Sequence, residues 1–185
     1  MTMEKEIERY FNQFFHLNGG ERMKFEDIDW ACIYMYEDLT DEFIEKTHLC
    51  LHQYLDFDTN SEKWSFVFEH NDVSEALLRK YCSEFDQEVW NVVSALQSLS
   101  EDFMCEFKDK LNWGEVSQNQ QFSEGFAIRF KLLLEWDVVI CRRLFPFDFI
   151  LQNAILTNDV VYRLGQSYTS ELGNILEKYR KEMKK

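Results

Sequence analysis

Two histidines, His48 and His52, stand four residues apart in the stretch THLCLHQY, with Cys50 between them. On a helix that spacing puts both imidazoles on one face, where they can hold a transition metal, while Cys50 points elsewhere. A third ligand would have to come from beyond the stretch, from Asp56 or Asp58, and there is no HExxH. The competing reading is two partly exposed histidines on an amphipathic helix, and no metal is expected. The adjacent acids Glu37-Asp38, Asp41-Glu42 and Glu101-Asp102 offer general acid–base chemistry. Neighbours on a helix point about 100° apart, however, so such pairs do not converge. Helix capping accounts for Asp41, Glu42, Glu101 and Asp102. The chain has no GxSxG, P-loop, GxGxxG or kinase signature, so neither an enzymatic activity nor a cofactor is expected.

Charge offers a different chemistry. The net charge is −14, and it is uneven: residues 1–60 carry −9, residues 61–125 carry −8 and residues 126–185 carry +3. The acids not explained by caps include Glu26, Asp27, Asp29, Glu84 and Glu88. Those assigned to partner binding are Glu37, Asp38, Glu45, Asp56, Asp58, Glu62, Glu69 and Asp72. They are either a solvated surface, on a helical-repeat scaffold or oligomerisation module without mimicry, or a row of carboxylates that imitates phosphates. In the second case they would occupy a basic nucleic-acid channel on a protein partner, a host nuclease or CRISPR effector being the kind. Such binding is fast and salt-sensitive. Direct binding of nucleic acid is disfavoured by the sign of the charge. Arg142 and Arg143, with Arg129, Lys131 and Arg163, make the C-terminal part mildly basic. Arg142 and Arg143 are assigned to the rim of a partner contact, or to a head-to-tail dimer with the acidic part of a second copy; the chain is expected to be a monomer or homodimer.

The elements that must position these groups follow from a repeat. Nine residues after each of Trp30, Trp64, Trp90, Trp113 and Trp136 the chain reads LTDEF, VSEAL, LSEDF, FSEGF and FPFDF. A sixth start, at Asp159, leads to YTSEL. Successive starts are 34, 26, 23, 23 and 23 residues apart. In LSEDF, Ser100 can cap a helix, Glu101 and Asp102 suit its first turn, and Leu99 and Phe103 are placed as a hydrophobic staple. Phe103, Phe107 and Leu111 then recur on one face. Asn112, Asp29 and Asp86 can cap the helices led by the tryptophans. Each unit is a short Trp-led helix, a turn and a second short helix, too short to be stable alone and completed by stacking on its neighbour. The tryptophans are expected between units, so that Trp113→Ala would cost ~3–5 kcal/mol.

The segment SEDFMCEFKDKLNW, residues 100–113, resembles short tandem repeats of the type LSEDFIEKFKDKLNW, which recur in uncharacterised proteins of phages, giant viruses and some bacteria. The resemblance is good over residues 90–136, weaker over 30–89 and 137–176, and absent at the N-terminus. It implies a structural motif and no activity. If the chain is phage-encoded, analogy points to small acidic anti-defence inhibitors, anti-CRISPR proteins among them.

The expected fold is therefore all-α: stacked short helical hairpins of about 23 residues, α-solenoid-like, in one domain spanning 1–185. Residues 1–24 give an N-terminal helix and turn, with Ile7, Tyr10, Phe11, Phe14 and Phe15 as its apolar stripe and Gly19-Gly20 as its stop. Residues 25–168 give the repeats, with 56–62 as the largest loop, and residues 169–185 a capping helix. One proline and six glycines agree with a helical chain. The five cysteines are odd in number and include no CxxC, which suits reduced thiols on apolar faces. An acidic start and no long apolar run predict a soluble, cytoplasmic protein with no membrane contact.

Overall fold

A computed structural model describes residues 3–15, 23–54, 57 and 59–174. The fold is all-α, and no strand occurs among the described residues. The chain divides into two compact units, Met1–Val92 and Val93–Lys185, with the division inside one helix, Gln87–Leu96.

The first unit contains α1 (Met3–Phe14), a 3-10 turn Phe25–Asp27, α2 (Trp30–Tyr36), α3 (Asp41–Tyr54), α4 (Asn60–His70), α5 (Glu75–Tyr81), a 3-10 turn Cys82–Glu84 and the start of α6 (Gln87–Leu96). Its core is aromatic. Phe43 is fully buried and has Phe14 at 4.6 Å, Tyr10 and Phe15 at 5.9 Å and Tyr34 at 6.4 Å between ring centroids. The expected stripe of α1 is thus the face that covers α3. Inside this core the Thr47 hydroxyl donates to Phe43 O at 2.7 Å, and the Tyr34 hydroxyl lies 2.8 Å from Thr47 Oγ1, so both hydroxyls are satisfied. Residues 56–62 are not all loop. Thr59 caps α4, which begins at Asn60, and Glu62 completes the capping box. Gly19 and Gly20 lie outside the described residues.

The second unit contains the end of α6, then α7 (Glu101–Glu106), α8 (Trp113–Asn119), α9 (Glu124–Arg129), α10 (Trp136–Cys141), α11 (Phe147–Asn153), α12 (Asn158–Ser167) and a helix over 169–174. The rest of the expected C-terminal helix lies outside the described residues. Here the 23-residue period is visible bond by bond. Ser100 Oγ accepts from Phe103 N at 3.1 Å, and Ser123 Oγ from Phe126 N at 3.2 Å. Trp113 Nε1 donates to Lys108 O and Trp136 Nε1 to Lys131 O, both at 2.8 Å. Asn112 N donates to Ser94 Oγ and Glu135 N to Ser117 Oγ, both at 2.9 Å. Ser94 and Ser117 are fully buried, so an inward serine on each of these Trp-led helices holds the cap residue of the next one.

The predicted caps occur in both units. Thr40 and Ser74 accept from Phe43 N and Leu77 N at 3.3 Å, and Asp29, Asp86 and Asn112 cap α2, α6 and α8. The acid after the cap has a further role that the sequence did not disclose. Asp41 Oδ1 accepts from Ser74 N at 3.1 Å, and Glu101 Oε1 accepts from Ser123 N at 2.5 Å. The first-turn acid of one hairpin therefore holds the cap residue of the next.

One expectation about the tryptophans is corrected. Trp30, Trp64, Trp90 and Trp136 are buried, but Trp113 is only half-buried. It lies over Phe126 and Phe130 with ring centroids 6.1 and 5.1 Å away. Its N–H is satisfied by a local carbonyl, so one edge of the ring is free to face solvent.

Candidate functional site

The acidic candidates separate by what their carboxylates touch. Glu45 is half-buried on α3, 2.9 Å from Lys80 Nζ. Glu62 accepts from Thr59 N at 3.2 Å and is part of the helix cap. Both are committed to the fold. Asp56 and Asp58 lie outside the described residues. Glu37, Asp38, Glu69 and Asp72 are exposed and form no ion pair among the described residues.

Two turns bring these four acids to one edge. One turn, residues 37–40, leaves α2; the other, residues 71–74, leaves α4. Buried Asn71 donates from Nδ2 to Tyr34 O and to Val67 O, each at 3.1 Å. At the far end Ser74 N and the Ser74 hydroxyl both donate to the Asp41 carboxylate. The turns are tied at both ends and run side by side. Glu37 and Asp38 follow the carboxyl end of α2, and Glu69 and Asp72 flank that of α4. Helix carbonyls add negative potential there, and no ion pair to these four acids offsets it among the described residues.

The basic candidates behave differently. Arg142 Nη1 donates to Ser117 O and Gln120 O, each at 2.8 Å. One brick earlier, Gln120 Nε2 donates to Ser94 O and Gln97 O at 2.9 and 2.8 Å, while its Oε1 accepts from Leu99 N at 3.1 Å. In the first unit Asn71 reaches Tyr34 O in the same manner. Asn71 and Gln120 both stand seven residues after a Trp, and both close the carbonyl end of the preceding Trp-led helix. Arg142 does so one residue early, after which Arg143 turns the chain at φ 54°. Arg142 is therefore a structural clasp and not the rim contact assigned to it. Arg143 remains exposed, with its guanidinium 5.3 Å from the Tyr168 ring. The clasp was readable as Trp64…Asn71 and Trp113…Gln120, but amides at that spacing carry no charge or aromatic signal.

His48 is a core residue. It is 6% exposed, its Nδ1 lies 3.0 Å from Ile44 O, and its ring stacks on Trp64 at 5.1 Å. Burial, with Lys63 nearby, lowers its pKa from 6.5. Burial pushes the Cys50 thiol up to about 12. The His52 side chain lies outside what is described. Among the described residues no group of three His, Cys, Asp or Glu is placed to hold a metal.

Beside His48 lies a charged cluster with no counterpart in the sequence reading. Lys63 is 1% exposed, its Nζ 3.4 Å from Glu84 Oε2, 3.2 Å from Asn60 Oδ1 and 4.6 Å from the Trp64 ring. Trp64 Nε1 donates to the same Glu84 oxygen at 2.9 Å. Burial lowers the Lys63 pKa; against its own burial, the Trp64 N–H and the Lys63 ammonium hold Glu84 below the ordinary carboxylate value. The arrangement locks the turn Cys82–Glu84 against α4. An open cleft of about 760 Å³ between α1 and α3 is lined by Tyr10, Phe14, Glu6, Arg9, Glu42 and Lys46. Two of its charges pair with each other, Lys46 to Glu42 at 2.6 Å.

Fold and site together define an all-α protein of stacked short helical hairpins with an exposed acidic edge. No protein-family model, curated protein or solved structure matches the chain. No helix among the described residues is long and apolar enough to cross a membrane.

Proposed function

We propose that this chain is a non-enzymatic, acidic protein-binding protein: an inhibitor that occupies a basic nucleic-acid-binding surface of its partner. The observation that carries the reading is the edge formed by Glu37, Asp38, Glu69 and Asp72. These carboxylates are exposed and form no ion pair among the described residues; Glu69 lies in the last turn of α4, and the other three sit on the turns after α2 and α4, which Asn71 and Asp41 tie together. Carboxylates on a tied backbone with added helix-end potential present a negative row at a reduced ordering cost at binding. A basic channel built for phosphates is the complementary surface. A nuclease or a CRISPR effector has such a channel, and inhibition of one in a host cytoplasm is the concrete form of the proposal.

The test is capture from a lysate of the cell that expresses the chain, at low and at high salt, with the recovered proteins identified. The reading expects a basic nucleic-acid enzyme at low salt that is released at high salt and by added duplex DNA. Recovery that resists both salt and DNA would overturn it.

A further inference from the structure

The bricks 90–112 and 113–135 share one backbone and differ on one exposed face. The turn closing α7 reads Phe107-Lys108-Asp109-Lys110-Leu111, and the turn closing α9 reads Phe130-Lys131-Leu132-Leu133-Leu134. Phe107 and Phe130 have matching angles, φ −104° and ψ 22° against φ −109° and ψ 21°. The turn bonds also match: Lys110 N donates to Phe107 O at 2.8 Å and Leu133 N to Phe130 O at 2.9 Å. The inward residues Leu111 and Leu134 are each 6% exposed. Only the outward pair changes, from exposed Asp109 and Lys110 to Leu132 and Leu133, which are 78% and 44% exposed. The first brick shows that this turn folds with charges facing water, so folding does not call for the leucines.

The substitution continues along the array. Ile128 is half-exposed one turn before Leu132, and one period on Leu151, Ile155 and Leu156 are exposed as well. The second helices α7 and α9 lie side by side, since Arg129 Nη1 sits 3.2 Å from Cys105 Sγ of the preceding brick, and the segments that lead into α9 and α11 meet at Phe122 and Phe145, 5.9 Å apart. Together the six aliphatic residues expose ~600 Å², the upper end of what a typical monomer shows in one patch. That is most of the ~800 Å² each partner gives to a stable interface. Residues 150–157, ILQNAILT, carry no ionisable group. The first half of the ridge is interleaved with Arg129 and Lys131 and neither half carries a carboxylate, so in a chain of net charge −14 two copies meet there away from the acidic repulsion.

We infer that the ridge formed by Ile128, Leu132, Leu133, Leu151, Ile155 and Leu156 is the interface with a second copy of this chain. A single patch that faces itself gives a closed two-fold dimer, and it uses none of the carboxylates of the acidic edge.

Sedimentation of the full chain at tens of micromolar tests this. The wild type is expected at twice 22.4 kDa, with high salt leaving the dimer intact. The double variant Leu132→Asp, Leu133→Lys grafts the turn that the preceding brick already carries, so its far-UV circular dichroism stays native while its mass halves. Tyr36→Asp, at an equally exposed position outside the ridge, keeps the dimer. A wild type at 22.4 kDa, as would follow if the chain's own C-terminal residues cover the ridge, overturns the inference. So does a graft variant that remains a dimer.

Discussion

Gln120→Leu keeps the bulk of a buried side chain and removes its amide. The wild-type amide joins Ser94 O, Gln97 O and Leu99 N, three backbone groups of the preceding brick, at 2.8–3.1 Å. Gln120 is 5% exposed, so water does not replace it freely. A buried polar group left without a partner costs about 1–3 kcal/mol. Three such groups, two of them carbonyls that tolerate partial loss, set the cost above any single bond. The added apolar burial of leucine offsets roughly 1 kcal/mol. The expected net loss is ~3 kcal/mol, or ~6–12 °C in Tm for a chain of this size. Urea unfolding followed by circular dichroism measures it. Asn119→Ala is the control: Asn119 is exposed and bonds only Glu115 on its own helix, so its loss stays below ~0.5 kcal/mol. A Gln120→Leu protein within ~0.5 kcal/mol of wild type would refute the clasp as a source of stacking energy.

Other expectations follow from the same geometry. Glu84→Gln leaves the Lys63 ammonium buried beside Trp64 without its counter-charge and should cost ~3 kcal/mol, whereas Lys63→Met removes the charge itself and should cost less or stabilise; urea midpoints of the two variants decide the order. His48 is held neutral by burial, its folded pKa below the unfolded 6.5, so the unfolded chain binds the proton more readily. The stability it contributes is complete above that value and falls as pH drops below it; His48→Phe, which keeps the stack on Trp64, should flatten the decline seen in urea midpoints between about pH 6.5 and 5. Trp136→Ala should cost ~3–5 kcal/mol and half-buried Trp113→Ala less, measured by thermal unfolding side by side.

The local signals carried most of the fold. In the tryptophan frame, Ser or Thr followed by an acid marks a cap, and Thr40, Ser74, Ser100 and Ser123 all cap. The tryptophan frame located the hairpins because each brick repeats the same burial problem. What the sequence hid were contacts made between bricks. Asp41 and Glu101 pass for simple first-turn acids, because the serine each one holds stands in the next hairpin. Lys63, beside a tryptophan, looks like a solvated residue of a first turn; its burial depends on Glu84, 21 residues on. Arg142 looked like a surface base because nothing local announces that its guanidinium replaces the Gln120 amide one period later. Of the acidic candidates, the unpaired ones could not be separated from Glu45 and Glu62 without the positions of Lys80 and Thr59.

The most direct measurement of the acidic edge as a phosphate mimic is affinity for the captured partner as a function of salt. Wild type is compared with the variant Glu37→Lys, Asp38→Lys, Glu69→Lys, Asp72→Lys. These positions are exposed and outside the core, so native circular dichroism is expected for the variant. The mimic predicts a steep fall of wild-type affinity with salt, competition by duplex DNA, and loss of binding in the variant by at least a hundredfold, about 2.7 kcal/mol. Equal affinities of the two proteins, with no dependence on salt, would contradict it.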